Sequence, residues 1–134
     1  MEYLAVLLAA ILNMIVGYLW FSPPLFMKPW MRLYGLTEKD MKKTKPSQMM
    51  RIYGACFVAG LMVAAVLQRL IYGVTDPGFI NGAFTGFILG FGIVLLTALP
   101  HYLFLQRPLR AWLIDFGYPA VSLTLMGGLL GLLY

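Results

Sequence analysis

Four long apolar segments make up most of this chain and limit its environment to a membrane. They cover about residues 3–21, 48–72, 79–105 and 112–134 of the 134-residue sequence. A helix of ~20 apolar residues crosses ~30 Å of hydrocarbon. Because the apolar runs are continuous rather than alternating, helices are favoured over strands of a closed barrel. We predict an all-α fold: one polytopic domain over residues 1–134 with four transmembrane helices.

Most of the positive charge lies between the first and the second apolar segment. Seven of the ten Lys and Arg residues fall between Lys28 and Arg51, and Arg107 and Arg110 lie between the third and fourth segments. The positive-inside rule then places both of these loops in the cytoplasm and both termini outside. The same basic residues should attract anionic lipid headgroups. No nucleic-acid partner is expected, because the position of this short basic run beside the membrane already explains its charge.

The cytoplasmic loop, residues 22–47, is expected to carry two short helices. Pro23 and Pro24 end the first transmembrane helix, because proline lacks the N–H group and clashes with the preceding turn. The next helix should lie in the membrane interface with its aromatic rings at headgroup depth, since apolar residues recur at helical spacing at Phe26, Trp30, Leu33 and Tyr34. Thr37 and Asp40 resemble a capping box and predict an exposed helix over 38–44.

The two halves of the chain are weakly similar. Tyr18-Leu19-Trp20, Pro24-Leu25, Trp30-Met31 and Tyr34-Gly35 in the first half match Tyr102-Leu103-Phe104, Pro108-Leu109, Trp112-Leu113 and Phe116-Gly117 in the second. One interpretation is a parallel two-helix repeat. The other is that any inward helix end collects tyrosine, tryptophan and proline.

Both halves also carry motifs typical of a known family. These are Gly17, Trp20-Phe21-Ser22-Pro23, Phe26, Trp30 and Gly35-Leu36-Thr37, then His101-Tyr102-Leu103-Phe104, Arg107-Pro108, Ile114-Asp115 and Gly117-Tyr118. In these residues the chain resembles a small bacterial membrane family catalogued as domain of unknown function family 1761. The resemblance covers nearly the whole chain. It implies four spans and a bacterial membrane, and it brings no settled activity, cofactor or catalytic residue. We expect the chain in the bacterial cytoplasmic (inner) membrane.

A polar site is predicted near the middle of the membrane. At 1.5 Å per residue, Asn13 and Ser122 lie ~15 Å from their helix ends. Gly60 and Gly90 fall at a similar depth and complete the candidate site. The alternative is that Asn13 and Ser122 only form hydrogen bonds between helices. No carboxylate lies at this depth, which disfavours proton-coupled export.

The cytoplasmic ends of the third and fourth segments hold a second polar group. His101, Arg107, Arg110 and Asp115 should lie at one level, and a His–Asp pair is able to perform acid–base chemistry. The sequence supplies no nucleophile, metal-ligand set or second carboxylate beside them. We therefore favour a hydrogen-bonded cluster that fixes the short loop, with no catalytic residue, metal or cofactor. Cys56 is the only cysteine and is expected to pack within the second segment.

Glycines recur every four residues along the third segment. Gly78, Gly82, Gly86 and Gly90 therefore share one helix face and predict a glycine zipper, a flat groove that permits close helix packing. The groove packs either within one four-helix bundle or against a second copy in a homo-oligomer.

Three classes of function remain. The favoured class is a small oligomeric permease or channel-like protein for a small solute. The alternative is an accessory or assembly subunit that packs against other membrane proteins, which needs only packing faces. A membrane enzyme acting at the His101 end is the least favoured, because few ionisable groups lie in the apolar segments.

Overall fold

Five helices of eight or more residues occur in the described part of the chain, and four of them are long and apolar. The computed structural model describes residues 2–37, 39–40, 43 and 45–134. The helices are α1 (Glu2–Trp20), α2 (Met27–Tyr34), α3 (Pro46–Val74), α4 (Phe79–Phe104) and α5 (Leu109–Leu132). No strand occurs among the described residues. All except α2 are long and apolar enough to cross a membrane, so the predicted all-α membrane fold is confirmed.

Helix α5 lies at the centre of the bundle. It is 44% buried along its most apolar window, against 17–22% for the other three long helices. It contacts α1, α3 and α4, whereas α3 and α4 scarcely touch each other. A gap therefore separates α3 from α4, and α5 forms the floor of this gap.

The glycine face of α4 packs against α5. Helix backbones approach so closely here that a Cβ atom on Gly82 would lie 2.0 Å from the carbonyl oxygen of Gly127. A Cβ atom on Gly86 would lie equally close to the carbonyl oxygen of Leu123. At the end of the interface the Gly78 N–H donates to the Gly131 carbonyl over 2.9 Å. The structure therefore fills the predicted glycine groove from within the chain.

Helix α4 changes its winding in the middle. Residues Ile88–Leu95 form a π-helix, in which each carbonyl accepts from the N–H five residues on. The Trp112 indole of α5 donates to the Leu95 carbonyl over 2.8 Å. This hydrogen bond joins the end of the π segment to α5.

The loop between α1 and α3 contains α2, a helix at the place where the sequence predicts one. Pro29 falls in its first turn, where a missing N–H costs nothing. The helix ends at Tyr34, and the following Gly35 has a φ of 66°, the left-handed conformation that glycine tolerates. Beyond it, the Asp40 carboxylate accepts hydrogen bonds from the Thr37 N–H and hydroxyl. Of the helix predicted over 38–44, Lys39 and Asp40 are helical and Lys43 lies in a turn; the other four residues lie outside the described part.

Candidate functional site

Three helices meet at the amide of Asn13. Its Oδ1 atom accepts a hydrogen bond from the Tyr118 hydroxyl over 2.7 Å and one from Ser122 Oγ over 2.6 Å. On the opposite side α3 presents Gly60, where an added Cβ would lie 3.0 Å from Asn13 Nδ2. The structure thus brings three of the four predicted midplane residues together and adds Tyr118, which lies one helical turn before Ser122.

A cleft opens beside this amide. We call it the midplane cleft; its volume is about 390 Å³. Its lining is mostly apolar and contains no Asp, Glu, Lys, Arg or His: Asn13, Cys56, Ala59, Gly60, Val63, Val94, Tyr118, Pro119, Ser122, Leu123 and Met126. Cys56 lies in α3, the second long segment, but it is exposed and lines the cleft, so the prediction that it is a packing residue is wrong. The reason is the gap between α3 and α4, which leaves this face of α3 uncovered.

The Asn13 side chain retains an unused hydrogen-bond donor. Its oxygen already accepts two hydrogen bonds, whereas its Nδ2 atom donates none to any residue that the structure describes. Because Asn13 and Gly60 both line the cleft, the NH₂ group lies at the cleft wall. A primary amide can donate two hydrogen bonds. The site is therefore able to bind an oxygen acceptor and holds no ionised group to bind a charge.

An apolar groove continues from the midplane cleft along the gap between α3 and α4. Its volume is about 350 Å³, and the lining has no charged or amide side chain: Met62, Val63, Val66, Leu67, Leu70, Leu89, Val94 and Leu123. Val63, Val94 and Leu123 line both spaces, so the cleft and the groove are adjacent and share walls. We call the second space the α3–α4 groove.

Gly90, the fourth predicted midplane residue, lies elsewhere. It packs against the backbone of Ala120, where an added Cβ would lie 2.7 Å from the Ala120 Cα. It therefore belongs to the α4–α5 contact and does not line the midplane cleft.

Asp115 lies at the centre of the polar cluster beside α2. Its carboxylate accepts hydrogen bonds from Trp30 Nε1 over 2.9 Å, from the Tyr102 hydroxyl over 2.6 Å and from the Tyr34 hydroxyl. The Arg107 guanidinium lies 5.1 Å from the centroid of the Tyr34 ring, a cation–π geometry. Partial burial and the neighbouring carboxylate raise the pKa of Tyr34 above its ordinary value. The cluster fixes α2 against α4 and α5.

Among the described residues, the donors to the Asp115 carboxylate do not include His101. His101 is exposed, and its ring lies edge-on to Tyr102 with the centroids 5.9 Å apart. Arg110 is exposed as well. The aromatic partners of Asp115, which are Trp30, Tyr34 and Tyr102, were not predicted from the sequence. The spacing of Trp30 and Tyr34 on one face of α2 was the available signal, because both point toward one neighbour.

No group of three or more His, Cys, Asp and Glu side chains able to hold a metal ion occurs in the part of the chain that the structure describes.

Fold and site together define a small helical membrane protein with an uncharged cleft inside its bundle. A model of one family, described as "Protein of unknown function (DUF1761)", matches residues 4–131. The chain therefore belongs to this family, and the resemblance seen in its motifs is confirmed. No curated protein and no solved structure matched the chain in the corresponding comparisons.

Proposed function

We propose that this protein is a permease that binds an uncharged small molecule in the midplane cleft. The observation that carries the proposal is the unused Asn13 amide donor at the wall of a cleft lined by apolar side chains. An ion is a poor candidate, because an unpaired charge inside the hydrocarbon region costs at least ~2.5 kcal/mol.

A homo-oligomer is the working unit in this proposal. On α5 the cleft extends from Tyr118 to Met126, which is ~12 Å of helix axis. That length is less than half of the ~30 Å hydrocarbon layer. A path across the membrane therefore requires additional surface, and a second copy of the chain supplies it.

The proposed setting is the bacterial inner membrane, with both termini outside. The support is the basic loop before α3 and the pair Arg107 and Arg110, which favour the cytoplasmic side and contact with anionic headgroups. Exposed basic side chains at Lys28, Arg32 and Lys45 are in keeping with this orientation.

The accessory-subunit alternative has one observation in its favour. Helix α3 is the least buried of the four long helices, and a partner helix would cover its open face. In a permease the cleft would contain a solute, whereas in an accessory subunit it would contain a side chain of the partner. A foreign protein recovered in equal amount from native membranes would favour the accessory role.

Uptake of uncharged amides by proteoliposomes tests the permease proposal. Straight-chain primary amides from acetamide to hexanamide each offer one carbonyl acceptor, and stopped-flow light scattering follows their entry. We expect at least one amide to enter several-fold faster with the wild-type protein than with Asn13→Leu. Asn81→Leu is the matched control, because Asn81 is exposed on α4 and its side chain donates to the Pro77 carbonyl four residues earlier in the chain. Equal entry of every amide with wild-type and Asn13→Leu protein would refute the proposal.

A further inference from the structure

We propose that the ligand is a lipophile with one uncharged acceptor oxygen and an apolar chain, and that it enters sideways from the bilayer between α3 and α4. This inference rests on the proposed function, because it places the ligand's polar end in the midplane cleft. It adds the route of entry and the chemical class of the ligand.

The route follows from the gap between two helices. Helices α3 and α4 scarcely touch, and the α3–α4 groove runs along their separation. The side chains at its edge are open: Met62 is 67% exposed and Val66 is 60% exposed. In a membrane-spanning bundle these side chains face hydrocarbon rather than water. A molecule dissolved in the bilayer therefore reaches the groove without crossing a polar surface.

The polar end of the ligand is defined by the Asn13 amide. The two hydrogen bonds to Oδ1 leave Nδ2 as the donor for a ligand, so the ligand must present an acceptor oxygen. A carbonyl, ester or ether oxygen meets this requirement. Among the lining residues, only Cys56 and Tyr118 carry an ionisable group. The cleft therefore offers no charged partner to a carboxylate or an ammonium group.

The apolar end is defined by the α3–α4 groove. On α3 the groove extends from Met62 to Leu70, which is ~12 Å of helix axis. Its walls are aliphatic or thioether side chains, which offer dispersion contacts and no hydrogen-bonding groups that would need a partner. An apolar ligand chain of medium length fits the groove, whereas a compact polar solute would leave the groove empty.

Photolabelling tests the inference. The probe is decanamide with a diazirine at its far end, added to the protein in proteoliposomes, and the labelled residues are identified by mass spectrometry. We expect label on groove residues of the wild-type protein. We expect labelling to fall at least tenfold in Val66→Trp, which fills the groove, and in Asn13→Leu, which removes the donor. Val58→Trp is the matched control, because Val58 is 55% exposed on the same helix and lines neither space.

A second variant keeps the test decisive if Asn13→Leu does not fold. Gly60→Ala places a methyl group 3.0 Å from Nδ2 and should reduce labelling in the same way. The melting temperature of each variant reports whether it is folded.

The outcomes separate the two proposals. If Val66→Trp labels as strongly as Val58→Trp while Asn13→Leu and Gly60→Ala lose label, the lateral route is refuted and the cleft assignment stands. If Val66→Trp alone loses label, the groove holds an acyl chain of any membrane lipid, and both proposals fail. If none of these variants changes the labelling, both proposals are also refuted.

Discussion

Replacing Gly86 by alanine should separate α4 from α5. The added Cβ would lie 2.0 Å from the carbonyl oxygen of Leu123 and 2.7 Å from its carbonyl carbon. Non-bonded carbon atoms prefer 3.5–4.0 Å. The obstacle is backbone, so no side-chain rotation relieves the overlap, and the two helices must move apart by more than ~1 Å.

The cost of this movement extends along the whole interface. Overpacking a core costs about 1–3 kcal/mol and occasionally more. Here the separation also weakens the close contacts at Gly82 and Gly90 and lengthens the hydrogen bond from the Gly78 N–H to Gly131. We therefore expect Gly86→Ala to cost about 3 kcal/mol. For a chain of this size that loss corresponds to a melting temperature lowered by roughly 10 °C.

Thermal unfolding of the detergent-solubilised protein, followed by circular dichroism, measures the effect. Gly54→Ala is the matched control, because a Cβ on Gly54 would meet nothing within 4 Å. Gly92→Ala is a control within α4, where the nearest atom is Ile88 Cγ2 at 4.0 Å. Both controls should keep or slightly raise the melting temperature, since alanine is the better helix former by ~1 kcal/mol. A melting temperature of Gly86→Ala within ~2 °C of the Gly54→Ala value would refute the packing argument.

Three further predictions concern orientation and the Asp115 cluster. With Lys45→Cys in a Cys56→Ala background, an impermeant thiol reagent should leave intact cells unlabelled and label inverted vesicles; labelling of intact cells would reverse the topology. Asp115→Asn should lower the melting temperature by more than His101→Ala does, because it weakens three hydrogen bonds whereas His101 is exposed, and equal losses would contradict this. Since the raised pKa of Tyr34 favours its protonated form in the folded state, stability should be retained below pH ~10 and decline as the pH rises further. The Tyr34→Phe variant should show a shallower alkaline decline in a pH series of melting temperatures, and an unchanged slope would count against the assigned cause.

Hydropathy sufficed to predict the helices, but the partners of the polar side chains depended on packing. Asn13 and Ser122 were placed at one depth by counting residues, and depth depends only on helical rise. The position of Gly90 shows the limit of that reasoning, since it lies at a similar depth but faces Ala120 rather than the cleft. Depth is a coordinate along the helix axis. The direction in which a residue faces depends also on how each helix is rotated against its neighbours.

The cluster around Asp115 has other members than those grouped by the sequence, for a related reason. The sequence grouped His101 with Asp115 because both lie near helix ends at the same level. The structure instead surrounds Asp115 with Trp30, Tyr34 and Tyr102. Docking of α2 decides this arrangement, and α2 lies more than 80 residues away along the chain. Such a contact leaves no periodic signal in the sequence around Asp115.

The sequence by itself determined the membrane environment, the number of long helices and the face on which the glycines lie. These features depend on local properties: the transfer of apolar side chains into hydrocarbon, the rise of the helix and the spacing of residues along it. Only the tertiary structure decided that α5 occupies the centre, that α5 packs on the glycine face of α4, and that α3 and α4 remain apart. In lipid no hydrophobic drive selects among helix pairings, so close backbone approach and interhelical hydrogen bonds decide them. The midplane cleft and the exposed position of Cys56 are consequences of that choice, since both depend on the gap that the α4–α5 contact leaves beside α3.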